Sequence, residues 1–254
     1  MVNAETTTIC NLIEAAAKQE RLPSSFLTRL IWKESSFKTG AVSPAGAQGI
    51  AQFMPGTADE RGLDDPFDPV KAIPASAHFL RELADQFGNL GLAAAAYNGG
   101  PRRVADWVSG KGELAWETRD YVMAITGHPV EEWSKSRADA EPADPAGPSD
   151  CKALAVILRQ PDRNVTTGIR TAYGPWGVQV VGNFSQARAI SLYRRLQGRY
   201  ASVLGGRDPM IVRTRNRGRR AFWNIRVPTQ SRTNANELCD RIHSVGGFCA
   251  VLHN

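Results

Sequence analysis

The 254-residue chain has no apolar run long enough to cross a membrane, which excludes a helical membrane span on sequence grounds. Met1 to Ala17 also lacks the basic start and apolar stretch of a secretory leader. Acid is scarce in one region only. Residues 151–254 hold 4 Asp and Glu against 17 Lys and Arg, a net +13, and sixteen of those bases are Arg. Residues 1–150 hold 21 acids against 14 bases, a net −7. The overall +6 therefore hides two regions of opposite field. Between them, 134–150 has no large apolar residue and is rich in Ala, Pro, Asp and Ser, the composition of a linker. The expected organisation is a domain over 1–133, a linker over 134–150 and a second domain over 151–254.

Cysteine is also sparse. Cys10, Cys151, Cys239 and Cys249 allow two disulfides in three pairings. Cys239 and Cys249 flank a turn at Gly246-Gly247 and suit a local bridge of the kind formed on export. Cys10 with Cys151 is the remainder pairing, tying the N-terminus to the second domain, unless Cys10 is simply buried in the first helix.

What is present centres on one carboxylate. Phe26, Leu30 and Glu34 recur every fourth residue in a helix opened by Ser24 and Ser25, which turns Glu34 toward the core. Burial disfavours the charged form of a carboxyl and raises its pKa, as a general acid requires. The structural alternative is a helix-end Glu paired with Lys33 or Lys38. Next, Pro44, Gly46, Gly49, Pro55 and Gly56 describe a tightly turned loop that carries Ser43, Gln52 and Met54. Two polar side chains and one adaptable apolar one suit a sugar ring and its N-acetyl group.

Four blocks carry a resemblance. They are Glu34-Ser35-Ser36-Phe37, Ser43-Pro44-Ala45-Gly46-Ala47-Gln48-Gly49 running on to Gln52-Phe53-Met54-Pro55, Ala96-Tyr97-Asn98-Gly99-Gly100-Pro101, and Glu117-Thr118-Arg119-Asp120-Tyr121-Val122. In order and spacing this region resembles the family 1 lytic transglycosylases, of the soluble type with a goose-type lysozyme-like fold. Phe53 stands where an aliphatic residue is more usual, and Gly99 where Ala is common. The resemblance implies an all-helical lysozyme-like catalytic domain with Glu34 as acid and base. It places Ser43, Gln52, Met54, Tyr97, Asn98 and Glu117 in the glycan cleft and Tyr121 beside the acid.

It also implies peptidoglycan glycan strands as substrate, cleaved without water. Glu34 protonates the oxygen between N-acetylmuramic acid and N-acetylglucosamine. It then takes the proton of the muramoyl C6 hydroxyl, which attacks C1 and leaves a 1,6-anhydromuramoyl end. One carboxylate suffices for this, and no cofactor or metal is expected. Ordinary glycosidases need two. Asp59, Glu60, Asp64, Asp65 and Asp68 are the candidates for a second, of which Asp64, Asp65 and Asp68 belong to a turn-rich segment and read as turn and helix-start residues.

The second domain alternates strand-like and helical stretches in the order βαββαβ, which predicts one antiparallel sheet with both helices on one face and the other face open for binding. Trp176 to Ser185, Trp223 to Val227 and Ala235 resemble a SPOR domain, a peptidoglycan-binding module, although Pro228 stands where Gly commonly follows the third strand. On that resemblance Gln179, Phe184, Trp223 and Arg226 are the candidate glycan-binding residues, against the alternative that the aromatics are core.

This topology is RRM-like, and Arg213, Arg215, Arg217, Arg219 and Arg220 lie beside Phe222 and Trp223. The Gly-aromatic-x-aromatic strand pattern of an RRM is missing, so nucleic acid is not the expected partner. The fold class is thus multidomain, α followed by α+β. The expected setting is the periplasm, with a signal segment removed ahead of Met1 or a dedicated export route, and with division or secretion systems as the settings for partners. A hydrolytic muramidase and a non-catalytic wall-binding adaptor are the alternative functions.

Overall fold

A computed structural model of the chain describes residues 3–135, 148–159, 170–215 and 221–254. Most of the expected linker (136–147) and Arg217, Arg219 and Arg220 of the basic run lie outside the described residues. Two compact units emerge. In chain order the helices begin α1 (Ala4–Gln19), α2 (Ser24–Ser35), α3 (Pro55–Glu60), α4 (Pro69–Phe87), α5 (Leu90–Gly99), α6 (Pro101–Val108), α7 (Trp116–Thr126), α8 (Val130–Lys135) and α9 (Cys151–Arg159). The first unit holds α1 to α6, α9 and the end of α7.

Sequence accounts for the helix ends in this unit. Asn3 caps α1 by accepting from the Thr6 N–H, Asp68 caps α4 by accepting from the Val70 N–H, and Asn89 caps α5 by accepting from the Leu92 N–H. α5 is buried on every side from Leu90 to Ala96, and its alanines let α4 and α6 pack against it. Its principal partners are α4 and α6, while α2 packs on α1 and α9.

α9 is a departure from the sequence-based division, which counts residue 151 in the second domain. Cys151, Leu154 and Ala155 are buried on the first unit. The Cys10–Cys151 disulfide clips α9 to α1 at a Cα separation of 5.4 Å. The Cys151 N–H donates to Glu14 Oε1 and the Ala153 N–H to Asp150 Oδ1, and Arg159 donates to Thr6 Oγ1. This disulfide therefore closes the helical unit on itself.

The second unit holds Leu114–Met123, Pro129–Lys135 and a four-stranded antiparallel sheet. Its elements are β1 (Trp176–Asn183), α10 (Gln186–Arg199), α11 (Ala201–Leu204), β2 (Met210–Arg215), β3 (Ala221–Thr229), α12 (Arg232–Ser244) and β4 (Ala250–His253), with strand order β2-β3-β1-β4. This is the expected βαββαβ arrangement. Val178, Val181, Ile225 and Val227 face α10 and α12 and share a core with Ile190, Tyr193, Leu238 and Ile242. A bulge between Gln179 and Val181 shifts the β1–β3 register. Pro228 is accommodated because β2 pairs with β3 no further along than Arg226, so the missing N–H interrupts no β2 bond. The second disulfide, Cys239–Cys249, joins α12 to the start of β4.

Candidate functional site

Glu34 occupies the last turn of α2, one turn beyond the buried Phe26 and Leu30 on the same stripe. It is half-buried rather than sealed in the core, because α2 stops immediately after it. Ser36 and Phe37 both adopt left-handed backbone, at φ 55° and 65°, which non-glycine residues occupy at a cost of order 1–3 kcal/mol each. The Ser36 N–H closes the helix on the Trp32 carbonyl at 2.8 Å. Phe37 is buried edge-on against Trp32, with ring centroids 5.1 Å apart. The chain is thus turned sharply just past Glu34.

The following loop is a miniature ladder, with bridges Val42↔Gln48 and Gln48↔Phe53. Ser43 Oγ accepts from the Ala47 N–H at 3.0 Å and holds its tip. Gln52, at φ 54°, donates through Nε2 to the carbonyls of Gly49 (2.8 Å) and Ala41 (3.1 Å). Its amide orientation is therefore fixed, with Oε1 the end left for a ligand. Gly49 sits at φ +74°, and a Cβ there would lie 1.7 Å from the Pro66 carbonyl oxygen. Only glycine lets the loop press on the 64–68 turn. In that turn Asp65 accepts from the Phe67 N–H, Asp68 caps α4, and Asp64 pairs with Lys71, whose ammonium lowers the Asp64 pKa. Each of these three acids has a structural partner.

Tyr97, in the last turns of α5, ties the blocks together. Its hydroxyl donates to the Ala51 carbonyl at 2.8 Å, and Phe53 and Phe79 pack on its ring at 6.2 and 5.5 Å. Burial first, then the negative charge of Glu34, pushes the phenol pKa well above its ordinary value, with Arg61 opposing. The hydroxyl is thus held as a neutral donor within electrostatic reach of Glu34. Asn98 follows, half-buried, and Met54 is 44% exposed at the mouth of the loop. Glu34, Ser43, Gln52, Met54, Tyr97 and Asn98 all belong to the first unit. Glu117, exposed, and Tyr121, 2% exposed, lie on the α7 segment grouped with the second. Sequence reading missed the paired left-handed residues Ser36 and Phe37, which no composition signal marks. It also missed Phe79 and Arg61, which lie outside the four blocks and meet through a guanidinium 3.6 Å above the ring.

In the sheet unit, Gln179 and Arg226 are cross-strand partners on the face turned away from α10 and α12. That face is not open at its centre: Gln179, Asn224 and Arg226 are 5%, 4% and 9% exposed. Arg226 lies across Gly177 and donates to Asn254 Oδ1 at 2.6 Å, while Asn254 donates to the Gly174 carbonyl. Trp223 points the other way and packs on the helix-side core. Phe184 is 43% exposed just past β1 and stacks edge-on with Phe222 at 4.9 Å. The structure therefore divides the four sequence candidates between two faces. Cys239, His243 and Cys249 cluster within 4.8 Å, but the two sulfurs are bonded to each other.

Comparison with known families matches residues 11–119 to the transglycosylase SLT domain and residues 172–252 to the SPOR domain. The chain carries an SLT transglycosylase domain and a SPOR domain. A transglycosylase of Enterobacteria phage PRD1 is 36% identical over 37% of this chain and 36% of its own length. The soluble lytic murein transglycosylase of Escherichia coli K12 is 32% identical over 39% of this chain and 17% of its own. The crystal structure of a 70 kDa soluble lytic transglycosylase from Escherichia coli aligns at a TM-score of 0.41 and 27% identity, over 49% of this chain and 23% of that one. The chain spans little more than a third of the first of these relatives and less of the others. The SLT match takes in Glu34, the loop at 41–53, Tyr97 and Glu117, and the SPOR match begins well after α9.

Proposed function

We propose that this protein is a peptidoglycan lytic transglycosylase, with Glu34 as its single acid and base and the SPOR domain directing it to glycan strands. The observation that carries the reading is the convergence at Tyr97. Its hydroxyl is anchored on the loop that holds Gln52, and its ring lies within the field of Glu34, so three motif blocks meet around one carboxylate. In the proposed cycle Glu34 donates its proton to the glycosidic oxygen, and the neighbouring N-acetyl group supports the positive charge at C1. Glu34 then takes the C6 hydroxyl proton, and that oxygen closes the 1,6-anhydro ring. Preorganised polar groups matter most where charge develops. Gln52 Oε1, Asn98 and Ser43 are the groups assigned to orient the acetamido group, Met54 to contact the sugar ring, and Tyr97 and Tyr121 to limit water. Glu117 is kept as a further candidate for substrate contact.

The catalytic domain is assigned to 1–133, with α9 packed on it, and the SPOR domain to the stretch after α9. Gln179, Phe184 and Arg226 are retained as its glycan-contact candidates, with Trp223 as support from beneath. Periplasmic residence, and service to a division or secretion system, follow from the substrate assigned. Mass spectrometry of soluble products from purified sacculi tests the function. Anhydromuramoyl products that vanish in Glu34→Gln support it. Reducing-end products would make the protein a hydrolase, and no products would leave a binding module.

A further inference from the structure

The Tyr97 ring is braced from outside its own helix. Tyr97 is half-buried and lies three residues before the Gly100 cap of α5, and its hydroxyl reaches the loop of Gln52 through the Ala51 carbonyl. Two rings pack on it. Phe53, buried in the loop, does so at an interplanar angle of 66°, and Phe79 on α4 does so at 44°. Phe79 is itself only half-buried, and the Arg61 guanidinium covers its ring with its carbon 3.6 Å from the centroid. A cation is attracted to the electron density of an aromatic face, so the two groups hold each other. The Arg61 N–H closes α3 on the Ala58 carbonyl at 3.1 Å, so the side chain reaches from the end of α3 across to α4. There Glu82, one turn along α4 from Phe79, takes the guanidinium at 2.6 Å, and its other oxygen faces His78 Nε2 at 3.4 Å. With side chains 22% and 49% exposed, the Arg61–Glu82 pair adds little to stability by itself. What it supplies is orientation. Arg61 also acts on the Tyr97 hydroxyl at a distance: burial and then the Glu34 charge raise the phenol pKa, and Arg61 opposes them. Arg61, Phe79, Glu82, Phe53, Tyr97 and Glu34 all belong to the first unit.

We propose that Arg61 is a positioning residue of the Glu34 site: stacked on Phe79 and tied to Glu82, it braces the Tyr97 ring and so sets where the Tyr97 hydroxyl meets the loop that carries Gln52. This rests on the reading that Glu34 is the acid and base and that Tyr97 lines its site. Arg61 need not touch substrate, because it acts through Phe79. A misplacement of about 1 Å in a positioned group is enough to cost on the order of a hundredfold in rate.

The test uses the whole protein carrying carbon-13-labelled tyrosine, with Arg61→Ala, Arg61→Lys and Glu82→Gln, and with Tyr97→Phe to assign the Tyr97 ring signal. The ring currents of Phe53 and Phe79 set the position of that signal, so it reads the brace without reference to activity. It is expected to move in Arg61→Ala, to move less in Glu82→Gln, and to stay near the parent position in Arg61→Lys, which keeps a cation for the Phe79 face and for Glu82. On sacculi, kcat is expected to fall by about tenfold or more in Arg61→Ala with KM unchanged, and to recover in Arg61→Lys. An unmoved Tyr97 signal in both Arg61→Ala and Glu82→Gln overturns the brace. A moved signal with unchanged kcat, or a loss confined to KM, overturns its role in positioning. Arg61→Lys as impaired as Arg61→Ala in both readouts overturns the cation as the bracing group. If the parent protein yields no anhydromuramoyl product, the functional reading fails and the ring signal still decides the brace.

Discussion

The helical unit and the sheet unit solve the placement of functional groups in opposite ways. In the helical unit the candidate groups sit at helix ends and in a short loop, held by backbone that most residues avoid: Ser36, Phe37 and Gln52 are all left-handed. In the sheet unit the candidates sit on or just past paired strands, and their neighbours lock them, as Asn254 locks Arg226 and Phe222 stacks on Phe184. Strained backbone persists only where its surroundings over-determine it, and it concentrates at functional sites. Strand positions need no strain, because register alone decides which face a side chain takes. The first unit thus accepts strained backbone beside Glu34 and at Gln52, whereas the second fixes its candidates by register and neighbours.

The two disulfides give the sharpest way to break the comparison. Cys10–Cys151 spans 141 residues and holds α9 on α1, whereas Cys239–Cys249 spans 10. On the loop-entropy account the first contributes about 5 kcal/mol and the second about 3. A Cys10→Ser/Cys151→Ser variant is therefore expected to lower the urea midpoint of the helical unit more than Cys239→Ser/Cys249→Ser lowers that of the sheet unit. Followed by separate probes in the two units, equal losses would contradict the assignment of α9 as a long-range closure.

Glycine contacts are the next test. A Cβ on Gly49 would strike the Pro66 carbonyl oxygen at 1.7 Å from a left-handed backbone, and a backbone atom has nowhere to go. Gly49→Ala is expected to cost about 3 kcal/mol or more. A Cβ on Gly182 in β1 would meet the Phe222 ring at 2.6 Å, an obstacle that rotates aside. Gly182→Ala is expected to cost roughly 1–2 kcal/mol. Equal costs in denaturant titrations would show that the loop is not held against the 64–68 turn.

Much of this was legible in the sequence, for identifiable reasons. Stripes at period 3.6 placed α2 and α10, capping residues placed the start of α4, and alternation placed the four strands. The motif blocks located Glu34, Gln52 and Tyr97. Three things were not legible. The partners of an alanine helix depend on which surfaces fit its small side chains, so α5 packs mainly on α4 and α6. The home of α9 depends on a contact with α1 141 residues away, which no local window reads. The faces of Trp223 and Arg226 depend on strand register, and the burial of Gln179 and Arg226 on neighbours such as Asn254 that meet them only in the folded sheet.

The smallest expected effect concerns alkaline stability. Tyr97 in the helical unit and Tyr193 and Tyr200 in the sheet unit all have phenol pKa values pushed up, chiefly by burial. The Tyr193 hydroxyl donates to the Arg207 carbonyl, and the Glu132 carboxylate beside Tyr200 adds to its shift. In the unfolded chain these groups lose their protons near pH 10. Above that pH the folded state binds more protons than the unfolded state, so stability falls as pH rises. The contribution is complete below pH 10 and drains away above it, by about 1.4 kcal/mol per tyrosine for each further pH unit. With two such tyrosines against one, the sheet unit is expected to lose stability about twice as steeply between pH 10 and 11. Tyr193→Phe/Tyr200→Phe should flatten that slope more than Tyr97→Phe flattens the slope of the helical unit. Urea midpoints at pH 9, 10 and 11 measure both. Slopes unchanged by the substitutions would mean that the alkaline loss arises elsewhere.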